Sequence, residues 1–272
     1  MPKLSDVIKR SIVLCYKEDV TDLRRELDRG GLPSIELRPS YTQDELRLPA
    51  NTRTFINHRN AWEIAARSDG YTLICEADFV PCLGMADMPV FWPLDNPMAW
   101  GYLYQGSPRL LSIVQGRLRG HCAPLVAYVV NNKVAETMLQ FFSEEMKQLE
   151  KGIYANFDAH LQWSVMGKGA EAYIPMKHYG EHGGKPNPEH ASLGTLPRAG
   201  RHRADILAAP LAFLPQYAEG SKAKYWRTRL EAGALGWMRL ASGRWIIDTN
   251  VYSRDLKATA RMYWTGLSRL LW

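Results

Sequence analysis

The stretch that most constrains this chain is YTLICEADFVP, residues 71–81. Tyr71 to Cys75 is a short, unbroken apolar run rich in β-formers, bounded by Asp69-Gly70 before it and Pro81 after it. It is too short and too continuous for an amphipathic helix, so it predicts a buried strand. Glu76 and Asp78 follow at its carboxyl end, one residue apart. Strand side chains at i and i+2 share a side, so the two carboxylates can converge on one point. Two convergent hard oxygen ligands suit a divalent cation, Mn2+ or Mg2+, which would itself hold a diphosphate. A solvated acidic strand end is the plainer alternative.

The segments around this strand alternate in type. Ile12 to Tyr16 predicts a first strand, and Val20, Leu23 and Leu27 then recur at helical spacing until Gly30-Gly31. Leu32 to Leu37 predicts a second strand, giving a βαβ opening and hence a mostly parallel sheet with ligands at the carboxyl ends of its strands. No glycine-rich loop follows the first strand, so the chain carries neither a dinucleotide fingerprint nor a P-loop. Residues 51–67 predict a helix with Phe55, Ala61, Trp62 and Ala65 inward. Further strands are expected at 101–104, 123–130 and 172–176, and further helices at 133–150 and from Asp158 onward.

Charge divides the chain. Residues 195–272 hold 13 Lys/Arg against 5 Asp/Glu, a balance of +8, which leaves −2 for the rest of a chain of net charge +6. Five of the nine tryptophans lie in the same segment. Two domains are therefore expected: 1–194, a near-neutral body, and 195–272, a basic, Trp-rich helical extension. The apolar run Ser11 to Tyr16 is too short for a signal-peptide core, and no stretch reaches the ~18 apolar residues of a membrane span. Cys15, Cys75, Cys82 and Cys122 form no CxxC pair and read as reduced core cysteines of a cytoplasmic protein.

The order of motifs resembles glycosyltransferase family 25, the lipopolysaccharide galactosyltransferases and their relatives. The likeness spans about residues 10–176. It rests on an Arg-bearing first helix (Arg24, Arg25), the N-H-x-x-x-W helix core (Asn57, His58, Trp62) and the apolar strand into E-x-D. AYVVNNKVAETML (127–139) and NFDAHL (156–161) follow in the same order. Asn57 stands where the family has serine, and Ala77 where it has the middle aspartate. The resemblance implies a GT-A fold, an α/β Rossmann-like sheet flanked by helices. It also implies metal-dependent, inverting transfer of a sugar, galactose foremost, from a UDP donor. The acceptor class would be a bacterial surface glycan, lipopolysaccharide or capsule, free or lipid-linked.

Within that frame Glu76 and Asp78 are the candidate cation ligands, and Arg24, Arg25 and His58 the candidate donor contacts. Surface ion pairs and a satisfied core histidine are the plainer readings of those last three. Asp158 is the candidate base, because a carboxylate at a helix amino terminus is held ionised by the helix dipole; a simple helix cap is its alternative. His178, Glu181 and His182 match H-x-x-E-H, an inverted zinc-peptidase signature. Gly180, Gly183 and Gly184, flanked by Pro175 and Pro186, argue against the helix that signature needs. A flexible lid over the diphosphate, or a third metal ligand drawn from His178 and His182, fits better, and an ordinary surface loop is the plainer reading for each histidine.

In 254–272 the residues Leu256, Ala260, Tyr263, Trp264, Leu267, Leu270 and Leu271 fall on one helical face, and Arg254, Asp255, Lys257, Arg261 and Arg269 largely on the other. Residues 222–240 repeat the theme with Trp226, Leu230 and Trp237. The tail thus predicts either an interfacial helix on an anionic membrane, placing the protein at the inner face of the plasma membrane, or a helix packed on the body. A scaffold without activity and a basic nucleic-acid-binding protein are the competing functions. The second is disfavoured because the charge is confined to the tail and no nucleic-acid motif appears.

Overall fold

The computed structural model describes residues 1–106, 108–122, 124–149, 157–185, 203–246 and 255–271. Asn156, Arg254, Trp272, residues 186–190 of the glycine-rich loop and residues 195–202 of the basic tail lie outside the described residues. The chain divides into two compact units.

Unit 1 comprises Met1–Ala77, Ala86–Gly101 and Ala127–Ala172. After a short helix α1 (Leu4–Val7), it opens with β1 (Ile8–Leu14), α2 (Thr21–Arg29) and β2 (Ser34–Leu37), the expected βαβ unit. In α2, Leu23 and Leu27 are buried and the Asp19 carboxylate accepts the Thr21 N–H at 2.9 Å. Gly31, at φ +75°, takes the left-handed turn that ends the helix. A one-turn α3 (Gln43–Leu46) precedes α4 (Ala50–Ala66), which runs into the central strand β3 (Tyr71–Glu76). β3 is buried from Tyr71 to Cys75 and pairs in parallel with β1, Ser11 opposite Leu73. On its other edge it pairs antiparallel with β8 (Ala127–Asn131), Ile74 opposite Tyr128. With β5 (Ala99–Tyr102) the order is β2-β1-β3-β8-β5.

The α/β expectation holds: parallel pairing joins the first three strands and antiparallel pairing enters at β8. The inward face of α4 packs on α5 (Asn132–Leu149). Phe55 stands at the centre of an aromatic cluster with Trp62, Phe141, Phe142 and Phe157, ring centroids 4.3–5.9 Å away. Phe157, the first residue of α6 (Phe157–Gly167), ties that helix to the cluster. Truncating one such fully buried ring to alanine costs about 3–5 kcal/mol.

Unit 2 comprises Asp78–Met85, Tyr102–Val126 and the described residues of Tyr173–Trp272. Its sheet order is β9-β7-β6, built from β6 (Arg109–Val114), β7 (Arg117–His121) and β9 (Glu171–Ile174). β6 and β7 form a two-residue hairpin whose turn residues both have positive φ, Gln115 at 49° and Gly116 at 78°. A second ladder pairs β4 (Phe79–Pro81) with β10 (Gly180–His182), Glu181 opposite Val80. Helices α7 (Lys222–Ala241) and α8 (Leu256–Leu271) pack on one another. The basic tail expected from charge therefore shares a unit with 78–85, 102–126 and 173–185.

Two expectations are corrected here. The described part of the glycine-rich loop, 177–185, is not a flexible lid: Gly180–His182 is a strand, Tyr179, Glu181 and Gly183 are buried, and no helix among the described residues supports a peptidase signature. Helix α8 packs through the opposite side from its Leu/Trp stripe. Thr259, Met262, Gly266 and Arg269 are buried, Arg269 being 2% exposed, while Leu256, Trp264 and Leu271 face outward. Small and polar residues win the inner face because Gly266 leaves room for Leu240 and Trp245. A Cβ there would lie 2.7 Å from one and 2.8 Å from the other. All four cysteines are buried, as expected.

Candidate functional site

In unit 1 a directed hydrogen-bond chain ends on Glu76. The Trp62 indole can only donate, and its Nε1–H bonds the Tyr128 hydroxyl oxygen at 2.7 Å. The Tyr128 hydroxyl then donates to His58 Nδ1 at 2.9 Å, which leaves the imidazole proton on Nε2. His58 Nε2 bonds Glu76 Oε1 at 3.2 Å. The first three side chains are fully buried, whereas Glu76 keeps about a quarter of its side-chain surface open. Burial drives the Tyr128 hydroxyl well above its ordinary pKa; the Trp62 bond opposes this, and the charges of Glu76 and Asp158 add to it. Tyr128 thus stands within electrostatic reach of both carboxylates, one from β3 and one from the first turn of α6.

In unit 2 the turn after β3 carries Asp78. His182 Nε2 lies 3.0 Å from Asp78 Oδ2, and Arg203 bonds His182 Nδ1 at 3.0 Å. Arg203 also donates to the carbonyls of His182 and Gly184 and stacks over the Tyr217 ring, 4.4 Å from its centroid. Burial would raise the Asp78 carboxyl, yet the His182 and Arg203 charges and the His182 hydrogen bond hold it below the usual carboxylate range. Its second oxygen, Oδ1, is buried with no hydrogen-bond partner among the described residues. Gly184 makes this packing feasible, since a Cβ there would sit 2.1 Å from Asp78 Oδ2. Glu76 and Asp78 are joined by Ala77 alone.

The other predicted residues are placed as follows. His58 is a buried support of Glu76, both ring nitrogens engaged, rather than a surface open to a donor. Arg24 pairs with Glu36 at 2.9 Å, and Arg25 pairs with Asp22 at 2.6 Å along α2. Asp158 lies inside the first turn of α6, after Phe157, and is half-buried. His178 parts company with His182. Its Nδ1 accepts the Gln105 N–H at 3.0 Å and its Nε2 lies 3.0 Å from Asp205 Oδ1, so no nitrogen is left for a metal. Arg269 completes that buried group with bonds of 2.5 Å to both Asp205 oxygens. Burial favours a protonated Asp205, but the Arg269 charge and the His178 and Arg269 hydrogen bonds hold it far below the carboxylate range.

Three residues of these clusters escaped the sequence reading. Tyr128 is visible only as an aromatic in a strand, and Arg203 and Asp205 only as charges in a basic tail. Nothing local ties them to β3 or to the histidines.

No family model and no curated protein matches the sequence. Among solved structures, the chain is similar to a glycosyltransferase involved in the glycosylation of the major capsid of PBCV-1. The TM-score is 0.40 at 9% identity, over 61% of this chain and 80% of that one. It is also similar to a mutant Drosophila β1,4-galactosyltransferase 7 in complex with manganese, UDP-Gal and xylobiose. There the TM-score is 0.37 at 12% identity, over 62% of this chain and 65% of that one.

Proposed function

We propose that the protein is a metal-dependent, inverting glycosyltransferase that moves a sugar, galactose foremost, from a UDP donor to a bacterial surface glycan or its lipid-linked precursor. The observation that carries this reading is Asp78. It is a half-buried carboxylate kept ionised, bonded through Oδ2 to His182 and with a buried Oδ1 lacking a hydrogen-bond partner among the described residues, two residues beyond Glu76. Buried polar atoms without partners are rare, and a cation would satisfy this one. Asp78 and its neighbour His182 offer a hard oxygen and an imidazole nitrogen, and the E-x-D spacing adds Glu76 as a second hard oxygen, a set that suits Mn2+. Such a cation would supply charge neutralisation for the diphosphate leaving group.

The protein's own residues then have distinct roles. Arg203, bonded to His182 Nδ1, holds that ring in place beside Asp78. His58 fixes one Glu76 oxygen and leaves the other free to point elsewhere. Asp158, which shares Tyr128 as a neighbour with Glu76, takes the proton from the acceptor hydroxyl as that oxygen attacks opposite the leaving group. The family 25 likeness of the motif order supports the choice of sugar transfer over other metal chemistry.

The test is thermal stabilisation by UDP and Mn2+, alone and together. A ligand at 100 times its Kd stabilises the native state by about 2.7 kcal/mol. Wild-type protein should be stabilised most by the pair, and Asp78→Asn should melt near wild type without ligand and lose the Mn2+-dependent part. A variant stabilised to the wild-type extent would refute the metal site. Stabilisation without turnover on any nucleotide sugar would return the protein to the scaffold reading.

A further inference from the structure

Helices α7 and α8 bury one side each and turn a hydrophobic side outward. On α7 the inner positions are Thr228, Ala232, Gly236 and Leu240. The opposite side presents Trp226 (62% exposed), Leu230 (73%) and Trp237 (43%) in one stripe, with Met238 at its margin. On α8 the outward side presents Leu256, Trp264 (68%) and Leu271. Both inner faces end at the same carboxylate. A Cβ on Gly236 would lie 2.7 Å from Asp205 Cβ, and Arg269 pairs with Asp205. The two stripes are therefore held outward by buried contacts on the far side of each helix.

The charge around the stripes is one-sided. The two helices contain eight Lys/Arg and one acid, Glu231, which Arg227 already engages. Lys222, Arg244, Lys257 and Arg261 have no acidic partner among the described residues. Lys257 and Arg261 border Trp264 on the α8 wheel, so cations edge the apolar stripe. Exposed Trp and Leu bordered by unpaired cations fit a surface that is apolar beneath and negatively charged at its boundary.

We propose that the outward faces of α7 and α8 together dock on an anionic lipid bilayer, with Trp226, Trp237 and Trp264 at the headgroup level and the cations on the phosphates. The surface is independent of the sugar-transfer reading and is tested without it. Full-length protein is sedimented with phosphatidylcholine vesicles, with and without phosphatidylglycerol. Binding should require phosphatidylglycerol, weaken with salt and persist in part, because the apolar contribution is not screened. Lys257→Gln/Arg261→Gln should weaken it roughly 25-fold, the equivalent of about 1 kcal/mol per cation. Trp226→Gln/Trp264→Gln, at exposed positions, should keep the wild-type circular dichroism and Tm and lose at least as much binding. Failure to sediment with anionic vesicles, equal binding to neutral ones, or unchanged binding by the Trp variant overturns the proposal. Self-association in solution that the Trp variant abolishes also overturns it, by assigning the face to a second copy.

Discussion

Replacing Arg269 by methionine removes a guanidinium from the most enclosed charge group of unit 2 while keeping much of the side-chain volume. Arg269 and Asp205 are both almost wholly buried, and Arg269 bonds both carboxylate oxygens and lies 5.0 Å from the Trp245 ring centroid. Without it, Asp205 keeps only His178 and the Ile206 N–H, among the described residues, against a desolvation cost that the arginine offset. Breaking a buried pair by deleting one partner costs about 3–5 kcal/mol, chiefly through the charge left behind. At about 2–4 °C per kcal/mol for a chain of this size, Tm should fall by roughly 6–20 °C. Adding Asp205→Asn should recover part of the loss, because the amide oxygen still accepts from His178 and no lone charge remains. Far-ultraviolet dichroism follows the helices and near-ultraviolet dichroism follows the packing of the aromatic side chains, Trp245 among them. A single variant that loses under about 1 kcal/mol, or a double variant that sums the two single losses, would refute the clamp.

Asp158→Asn should lower turnover by about 10²–10⁴-fold while UDP–Mn2+ binding by calorimetry stays constant, and retained turnover would remove Asp158 from the base role. Stability should fall on acidification from pH 6.5 to 4. Burial lowers His178 and His121 to about 4, with Arg269 and Arg109 respectively adding to it and the Asp205 bond opposing it at His178. The unfolded chain, with histidines near 6.5, binds protons in that window that the folded chain refuses, at a cost of up to about 3 kcal/mol for each histidine by pH 4. Asp205, depressed in the fold, adds no loss above its unfolded value near 3.9. Urea midpoints equal at pH 7 and pH 4.5 would contradict this.

What was legible in the chain was what neighbours in sequence determine. The βαβ opening, the inward residues of α4 and the buried run of β3 all follow from periodicity, and the structure has them. The β6–β7 hairpin was not legible, because Gln115 occupies a positive-φ position where asparagine or glycine would have marked the turn. The outward stripe of α8 shows the limit of amphipathic patterns. The wheel separates two faces correctly, but which one goes inward depends on Gly266, Trp245 and Asp205, and two of those lie outside the helix. The same holds for the two histidines of the glycine-rich loop. Four residues apart in sequence, they are sorted by distant partners, His178 to Asp205 and His182 to Asp78.

That Asp205 receives α7 at Gly236 and α8 at Arg269 sets a threshold for shortening the chain from its carboxyl end. Removing Leu270 and Leu271 trims outer or partly covered residues and leaves the guanidinium in place. Removing one residue more strips Asp205 of its counter-charge. Tolerance to trimming should thus end at one residue rather than decline gradually along the helix. Deleting α8 would dismantle the interior it plugs, so the outward faces of α7 and α8 have to be mapped by changing their exposed side chains one pair at a time.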